Sequence, residues 1–379
     1  MNNSFTKKKI VVSAVNLTEG GGRSILISVL NALAQDTRFI VIAMVNNRLA
    51  GDLIRATNIK YVSIPCAKKS WINRLLYEYI VSKGISKRLN PDIWFSLHDI
   101  TPNVITKKRY VYCHNISPFY KFRFSDIMLD YKFSIFVLLY KYIYKINIKK
   151  NQSVFVQQCW IAERLVEYFD VNNCVVALPE EVKEVNRSNF YSESNFCQGN
   201  GVTFFYPTLP RTYKNLEIIF RSVCILRYKK VSGYKVFVTV SEGENKYIEN
   251  LVQKYGKLNE IIFCGRLNRE EMNKMYSSSD VLLFTSKLET WGLPIREAME
   301  FNLPVLLANH PYSQATSYGY DKVAFFDAES PQELSSIMNN IVTHHDYDIF
   351  KANNHVPDCD KKFQKLYNWD MLLDHIYKS

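Results

Sequence analysis

The stretch Phe284 to Pro304, FTSKLETWGLPIREAMEFNLP, decides the fold. Just before it, Val281-Leu282-Leu283-Phe284 is an apolar run of the kind that forms a short buried parallel strand. A polar loop follows. Pro294 then opens a helix at a first-turn position, where its missing N–H costs nothing. Asn302 and Pro304 close that helix, and Val305-Leu306-Leu307 begins the next strand. Two carboxylates are set into this strand–loop–helix–strand unit: Glu289 in the loop at the strand's carboxyl end, and Glu297 about one turn into the helix. Between them the backbone N–H groups of Thr290, Trp291, Gly292 and Leu293 lie at a helix N-terminus suited to phosphate. Gly292 lets that backbone approach a ligand closely. A first-turn Glu also offsets the macrodipole, and a loop Glu is ordinarily solvated, so neither carboxylate alone signals function.

The 379 residues suffice for two domains, and 47% hydrophobic with 22% charged residues describes a globular chain. The N-terminal lysines precede only a short apolar run that leads into a strand–loop–helix pattern. The sequence therefore predicts a first strand there, not a signal peptide, and no membrane-spanning helix. Eight cysteines without a C-x-x-C pair predict a reduced, cytosolic chain with no structural metal. The net charge of +12 is uneven: Lys107 to Asn151 holds ten basic and two acidic residues.

Strand and helix alternate along the chain, the rhythm of a doubly wound parallel sheet. Strand 10–15 leads through Gly20-Gly21-Gly22 to a helix at 24–35, a turn where backbone amides can meet an anion or a sugar. Strand 38–45, helix 49–57, strand 60–64, helix 71–88 and strand 92–97 follow. A further strand ends at His114, placing that side chain at the carboxyl edge of the sheet, where open α/β sheets bind ligands. Phe133 to Ile148, FSIFVLLYKYIYKINI, has two readings. It is a core helix of the first domain, or it rests its aromatic face and flanking lysines on an anionic membrane surface. Residues 179–201 lack periodicity and read as the interdomain linker. A second set begins with strand 201–206 and a loop carrying Arg211 and Lys214 beside the helix at 213–229, as charge neutralisation of a diphosphate requires. Strand 234–240, helix 244–256, strand 260–264, helix 269–277, strand 304–308 and helix 331–342 complete the domain. Asp346-Tyr-Asp348 and Asp358-Cys-Asp360 have D-x-D spacing but fall in an irregular stretch, and are not expected to hold a catalytic metal.

The E-x7-E spacing of Glu289 and Glu297, with Gly292, Pro294 and Ala298-Met299, resembles the signature of family 4 retaining glycosyltransferases. The resemblance extends over nearly the whole chain and is strongest at 206–217 and 263–307. It implies the α/β GT-B fold: two Rossmann-like doubly wound domains, 1–185 and 200–355, facing a central cleft, with a C-terminal helix (about 362–379) packing back on the first. It further implies that Lys214, followed by Asn215, binds the donor's diphosphate. The family's usual Gly-Arg ahead of that loop is replaced here by Tyr206-Pro207, with Arg211 as the candidate substitute. Gly265 and Leu267 would contact the nucleotide base through the backbone, Glu297 the ribose hydroxyls, and Glu289 the donor sugar. Gly21, Gly22 and His114 would supply the first domain's half of the site. Glu289, His114 and Lys214 are the candidate catalytic residues.

The wording around Cys113-His114-Asn115-Ile116-Ser117-Pro118 and Phe204-Phe205-Tyr206-Pro207 resembles bacterial enzymes of O-antigen and capsule synthesis. The expected activity is transfer of a hexose or deoxyhexose from a nucleotide-diphosphate sugar to a polyprenyl-diphosphate-linked saccharide, with retention and without metal or other cofactor. The expected setting is the cytoplasm, peripheral to the inner face of the membrane. The alternatives are a nucleotide-sugar epimerase of the same fold and a non-catalytic nucleotide-sugar-binding protein. The basic residues match no nucleic-acid-binding motif, so nucleic acid is not an expected partner.

Overall fold

The computed structural model describes residues 6–49, 53–120, 127–128, 131–177, 201–353 and 362–379. Two units emerge, each built on a parallel sheet. Unit 1 comprises Met1–Tyr120, Phe136–Val182 and Asp358–Ser379, and unit 2 comprises Lys121–Ile135 and Lys183–Pro357. The linker reading at 179–201 lies almost wholly outside the described residues.

In unit 1, runs rich in Val, Ile and aromatic residues form β1 (Lys8–Ser13), β2 (Phe39–Val45), β3 (Ile59–Ser63), β4 (Ile93–Ser96), β5 (Lys108–Cys113), β6 (Ser153–Val156) and β7 (Cys174–Ala177). Strands covered by helices on both faces need no polar alternation, and β4, β6 and β7 are buried at every position. The sheet is completed by β14 (Gln364–Leu366), in the order β14-β7-β6-β5-β4-β1-β2-β3. Its helices are α1 (Gly20–Gln35), α2 (Trp71–Leu76), α3 (Ser82–Leu89), α4 (Tyr131–Lys145), α5 (Cys159–Phe169) and α12 (Trp369–Lys378); α4 begins in residues that group with unit 2. As the resemblance implies, the C-terminal helix belongs to this unit. Trp369, Leu372, Leu373 and Ile376 are buried in one cluster with Ile10, Val12, Leu26 and Phe95. Arg38 fixes its outer side through an ion pair to Asp374 at 2.5 Å.

Unit 2 runs β8 (Val202–Tyr206), α6 (Leu216–Tyr228), β9 (Tyr234–Val238), α7 (Lys246–Tyr255), β10 (Ile261–Phe263), α8 (Arg269–Ser278), β11 (Val281–Phe284), α9 (Leu293–Glu300), β12 (Val305–Ala308), α10 (Pro311–Thr316), β13 (Val323–Phe326) and α11 (Pro331–His344). The strand order is β10-β9-β8-β11-β12-β13, all parallel. Numbered from one within the unit this is 3-2-1-4-5-6, the doubly wound order whose direction reverses between its first and fourth strands.

Several local expectations are corrected. The glycines 20–22 form the first turn of α1 and not a turn before it. Ile25, Leu26, Val29, Leu30 and Leu33 are all buried, and this packing offsets the poor helix propensity of glycine. Around 49–57 the described residues hold only a 3₁₀ turn, Asn47–Leu49. The helix at 71–89 is interrupted by a π turn, Tyr77–Val81, where Tyr77 and Glu78 are both buried. The short elements β13, α10 and β14 were not anticipated. Cys66, Cys113, Cys174, Cys224 and Cys264 are free thiols, but Cys159 is disulfide-bonded. The expectation of a fully reduced chain fails there, because bridging depends on the approach of Cβ atoms in space and not on sequence spacing.

Candidate functional site

The reversal of strand order in unit 2 lies between β8 and β11, and the loops leaving their carboxyl ends bound the crevice where such sheets bind ligands. The first loop carries Lys214 and the second Glu289, and the structure joins them in an ion pair. The two side chains are only 11% and 17% exposed, so water screens the pair poorly. The loop from β8 ends in a 3₁₀ turn, Thr212–Lys214, and Asn215 takes a left-handed conformation (φ 55°) to start α6. The turn is held by its carbonyls. Tyr206 Oη donates to the Lys214 carbonyl at 2.7 Å, Thr285 Oγ1 donates to it at 3.0 Å, and the Lys287 N–H donates to the Tyr213 carbonyl at 2.8 Å. The Lys214 ammonium also lies 5.8 Å from the Phe284 ring centroid. Lysine position is thus set by backbone clamps from both loops. Arg211 precedes the turn and is exposed.

From Glu289 the chain enters α9 through Gly292, whose φ of 66° is left-handed. A Cβ there would approach Ile295 Cδ1 to 3.0 Å. Gly292→Ala is therefore expected to destabilise unit 2 by about 1–2 kcal/mol through backbone strain, read as a lowered urea midpoint. An unchanged midpoint would show that the loop does not need this conformation. The amide run from Thr290 to Leu293 leads into α9 without a side-chain cap at Gly292. Trp291 is tied down by Thr316 Oγ1, which donates to its carbonyl.

Glu297 sits in α9 with both oxygens engaged: Arg269 pairs with Oε1, and Tyr276 Oη donates to Oε2 at 2.8 Å. A carboxylate has about four lone-pair sites, so these partners orient it while leaving acceptor capacity for ligand hydroxyls. Burial and the neighbouring Glu297 raise the Tyr276 phenol well above its ordinary range, which keeps it a donor. At the end of β10, Gly265 is also left-handed (φ 68°), and its N–H donates to the Val240 carbonyl at 3.1 Å. Leu267 follows, partly buried. The structure thus places Lys214 with Glu289, and Glu297 with Arg269 and Tyr276. Those last two were missed from the sequence, although Arg269 and Tyr276, seven residues apart on α8, share a helical face.

In unit 1, Gly22 packs against Leu17, whose Cδ2 would lie 2.9 Å from an added Cβ, while Gly21 is exposed. His114 follows β5 directly. Its Nε2 donates to the Leu97 carbonyl at 2.8 Å, and its ring lies 4.5 Å from that of Tyr112. Burial lowers its pKa from the ordinary value, against the pull of Asp99, so the imidazole is neutral near pH 7. Asp99 was not singled out in the sequence. It is left-handed (φ 70°), and its Oδ1 accepts from the N–H groups of His114 at 2.5 Å and Asn115 at 2.7 Å. A strand-ending Leu97-His98-Asp99 was the available signal. Asp346 and Asp348 share a turn, the Asp348 N–H donating to Asp346 Oδ1 at 3.0 Å. Asp358 and Asp360 lie outside the described residues.

Residues 188–348 match the family model for glycosyl transferases group 1. Over 346 residues the chain is 20% identical to the O-antigen chain mannosyltransferase RfbU of Salmonella typhimurium, spanning 86% of this chain and 89% of that one. Among solved structures it is similar to sucrose-phosphate synthase from Thermosynechococcus elongatus, with TM-score 0.67, 13% identity and 98% of each chain covered. It is also similar to HepE of Anabaena, solved in complex with UDP and glucose, with TM-score 0.59, 13% identity, and 97% and 98% coverage. The fold is GT-B. The family match and the curated relative support a glycosyltransferase of the group 1 type, with relatives in O-antigen synthesis.

Proposed function

We propose that the protein transfers a hexose or deoxyhexose from a nucleoside-diphosphate sugar to a lipid-linked saccharide, with retention and without a metal. The Lys214–Glu289 pair at the strand reversal of unit 2 carries this reading. Breaking an anomeric C–O bond leaves negative charge on a diphosphate and positive charge on the sugar. Lys214 and the amides from Thr290 to Leu293 face the first, and Glu289 faces the second. Because these groups are already fixed, little reorganisation accompanies charge development. Glu297 holds the ribose hydroxyls, with Arg211, Gly265 and Leu267 bordering the nucleotide. His114, a neutral imidazole with its Nε2–H given to the Leu97 carbonyl, offers Nδ1 as an acceptor for the incoming hydroxyl's proton in unit 1.

The test is a thermal shift of the full chain with GDP, UDP, dTDP and ADP. One nucleotide is expected to raise the melting temperature, insensitive to EDTA, and Glu297→Ala to abolish the rise. No shift with any of the four would reject a donor site of this kind.

Peripheral membrane binding belongs to the same proposal. On α4, Leu138, Leu139 and Tyr142 are exposed. Among the flanking lysines, Lys141 lies over the Tyr168 ring at 5.0 Å and Lys149 pairs with Asp170 at 2.5 Å. The apolar residues therefore carry more of the docking than these two lysines. Leu138→Asp with Leu139→Asp is expected to cut co-sedimentation with anionic vesicles at least about tenfold. Unchanged co-sedimentation would discard α4 as the docking face.

A further inference from the structure

Lys214 and Glu289 are each the other's ion-pair partner, and among the described residues neither makes a second ion pair. The ammonium lies against two aromatic rings, 5.7 Å from the Tyr213 centroid and 5.8 Å from that of Phe284. Apolar walls of this kind hold little water. They screen the attraction within the pair weakly, and they screen equally weakly any repulsion that enters it.

The backbone on both sides is pinned. Besides the clamps on the Lys214 turn, the Glu289 loop is tied at Ser286, whose carbonyl accepts from Tyr312 Oη, and at Trp291, whose carbonyl accepts from Thr316 Oγ1. Both donors come from α10, and each residue is 2% exposed. Glu289 lies between the two ties. A change of partner therefore falls to the side chains of Glu289 and Lys214 and not to the loop.

A diphosphate that settles on Lys214 meets a carboxylate already there. If Glu289 keeps the ammonium, two anions stand side by side, which costs most where water is scarce. If it lets go, a mostly buried carboxylate loses its counter-charge. This cost falls unequally on two ligands that differ by one bond. An intact nucleoside-diphosphate sugar ends its diphosphate in a diester, and its sugar hydroxyls can donate to the displaced carboxylate. The free nucleoside diphosphate ends in a monoester, with up to about one further negative charge near pH 7 and no sugar hydroxyl at that end.

We propose that Glu289 is a specificity residue. By competing for Lys214 it favours the nucleoside-diphosphate sugar over the free nucleoside diphosphate, so the product is displaced once its sugar has left. This role rests on the transferase reading and adds to it a built-in relief from product inhibition.

Titration calorimetry of the full chain tests it, with inorganic pyrophosphate and with UDP, GDP, dTDP and ADP, each free and as its glucose ester. Glu289→Gln keeps the shape and removes the charge. It is expected to bind pyrophosphate at least about tenfold more tightly than the parent, because a like charge beside the ligand is gone. The free nucleotide that binds is expected to gain in the same way while its glucose ester does not, so that the preference for the ester falls at least about tenfold. Lys214→Ala is expected to weaken pyrophosphate at least about tenfold, which places the anion on this lysine. Glu329→Gln is the control for net charge. It removes a carboxylate that pairs with Lys287 at 2.8 Å, and is expected to change pyrophosphate affinity by less than about threefold. A thermal melt of each variant reports folding. Unchanged or weaker pyrophosphate binding in Glu289→Gln, or an equal gain in Glu329→Gln, overturns the proposal. The donor reading fails separately, if the parent binds none of the four nucleotides.

Discussion

Lys214→Ala is expected to lower kcat/KM for sugar transfer by about a hundredfold to a thousandfold, mostly in kcat. Removing one fixed donor to a developing anion costs that much in enzymes that stabilise charge by prearranged groups, roughly 3–4 kcal/mol of transition-state energy. The leaving diphosphate gains charge as the anomeric bond breaks, so the ammonium acts more on the transition state than on the bound donor. Here the lysine cannot be replaced by a mobile neighbour, because Tyr206 and Thr285 fix its backbone and Glu289 holds its tip. Lys214→Arg should recover little, since a planar fork does not fit a clamp built around a point charge. Removing Lys214 and Glu289 together should cost less than the sum of the single losses, because the two groups act as a unit. The measurement is initial rates across donor concentrations. A kcat within about threefold of the parent would remove Lys214 from the chemical step.

Trp369→Ala is expected to destabilise unit 1 by about 3–5 kcal/mol, the usual loss for emptying an aromatic core position. That is a large share of the roughly 5–15 kcal/mol that holds a domain folded. Trp369 is the first residue of α12, and its ring packs 5.8 Å from that of Tyr112 on β5. Met371, two residues on and 40% exposed, is the control: Met371→Ala should change stability by no more than about 0.5 kcal/mol. Denaturant unfolding followed by fluorescence reads both. Equal midpoints for the two variants would mean that α12 merely rests on the unit.

The architecture was legible because parallel strands covered on both faces leave continuous apolar runs, as in Val281–Phe284 and Val305–Ala308. Glu289 and Lys214 could each be assigned to the site because the family pattern and the strand rhythm agreed on their two loops, while their mutual ion pair came only from the structure. The grip on Glu297 was not legible, since Arg269 and Tyr276 reach it from α8, across a spatial neighbourhood that local sequence does not encode. The π turn at Tyr77–Val81 leaves no periodic mark, because a single wide turn shifts the helical phase only locally. The short β13 and β14 fall below the length at which alternation or apolar runs stand out from chance.

The return of the chain to unit 1 sets the order in which the protein can be made. On the ribosome, residues 201–353 hold every strand of the second sheet and emerge as one uninterrupted block. The first sheet, though its opening strands appear earliest, lacks its edge strand at 364–366 and four core side chains between 369 and 376 until those residues have followed the second unit. The earliest-made half therefore waits, with the site of α12 empty and its apolar floor open to water, while the later half completes itself. Domains usually fold in the order they are synthesised. In this chain the second sheet has all its strands before the first does, so the first unit's core stays incomplete for at least as long as the second unit takes to translate.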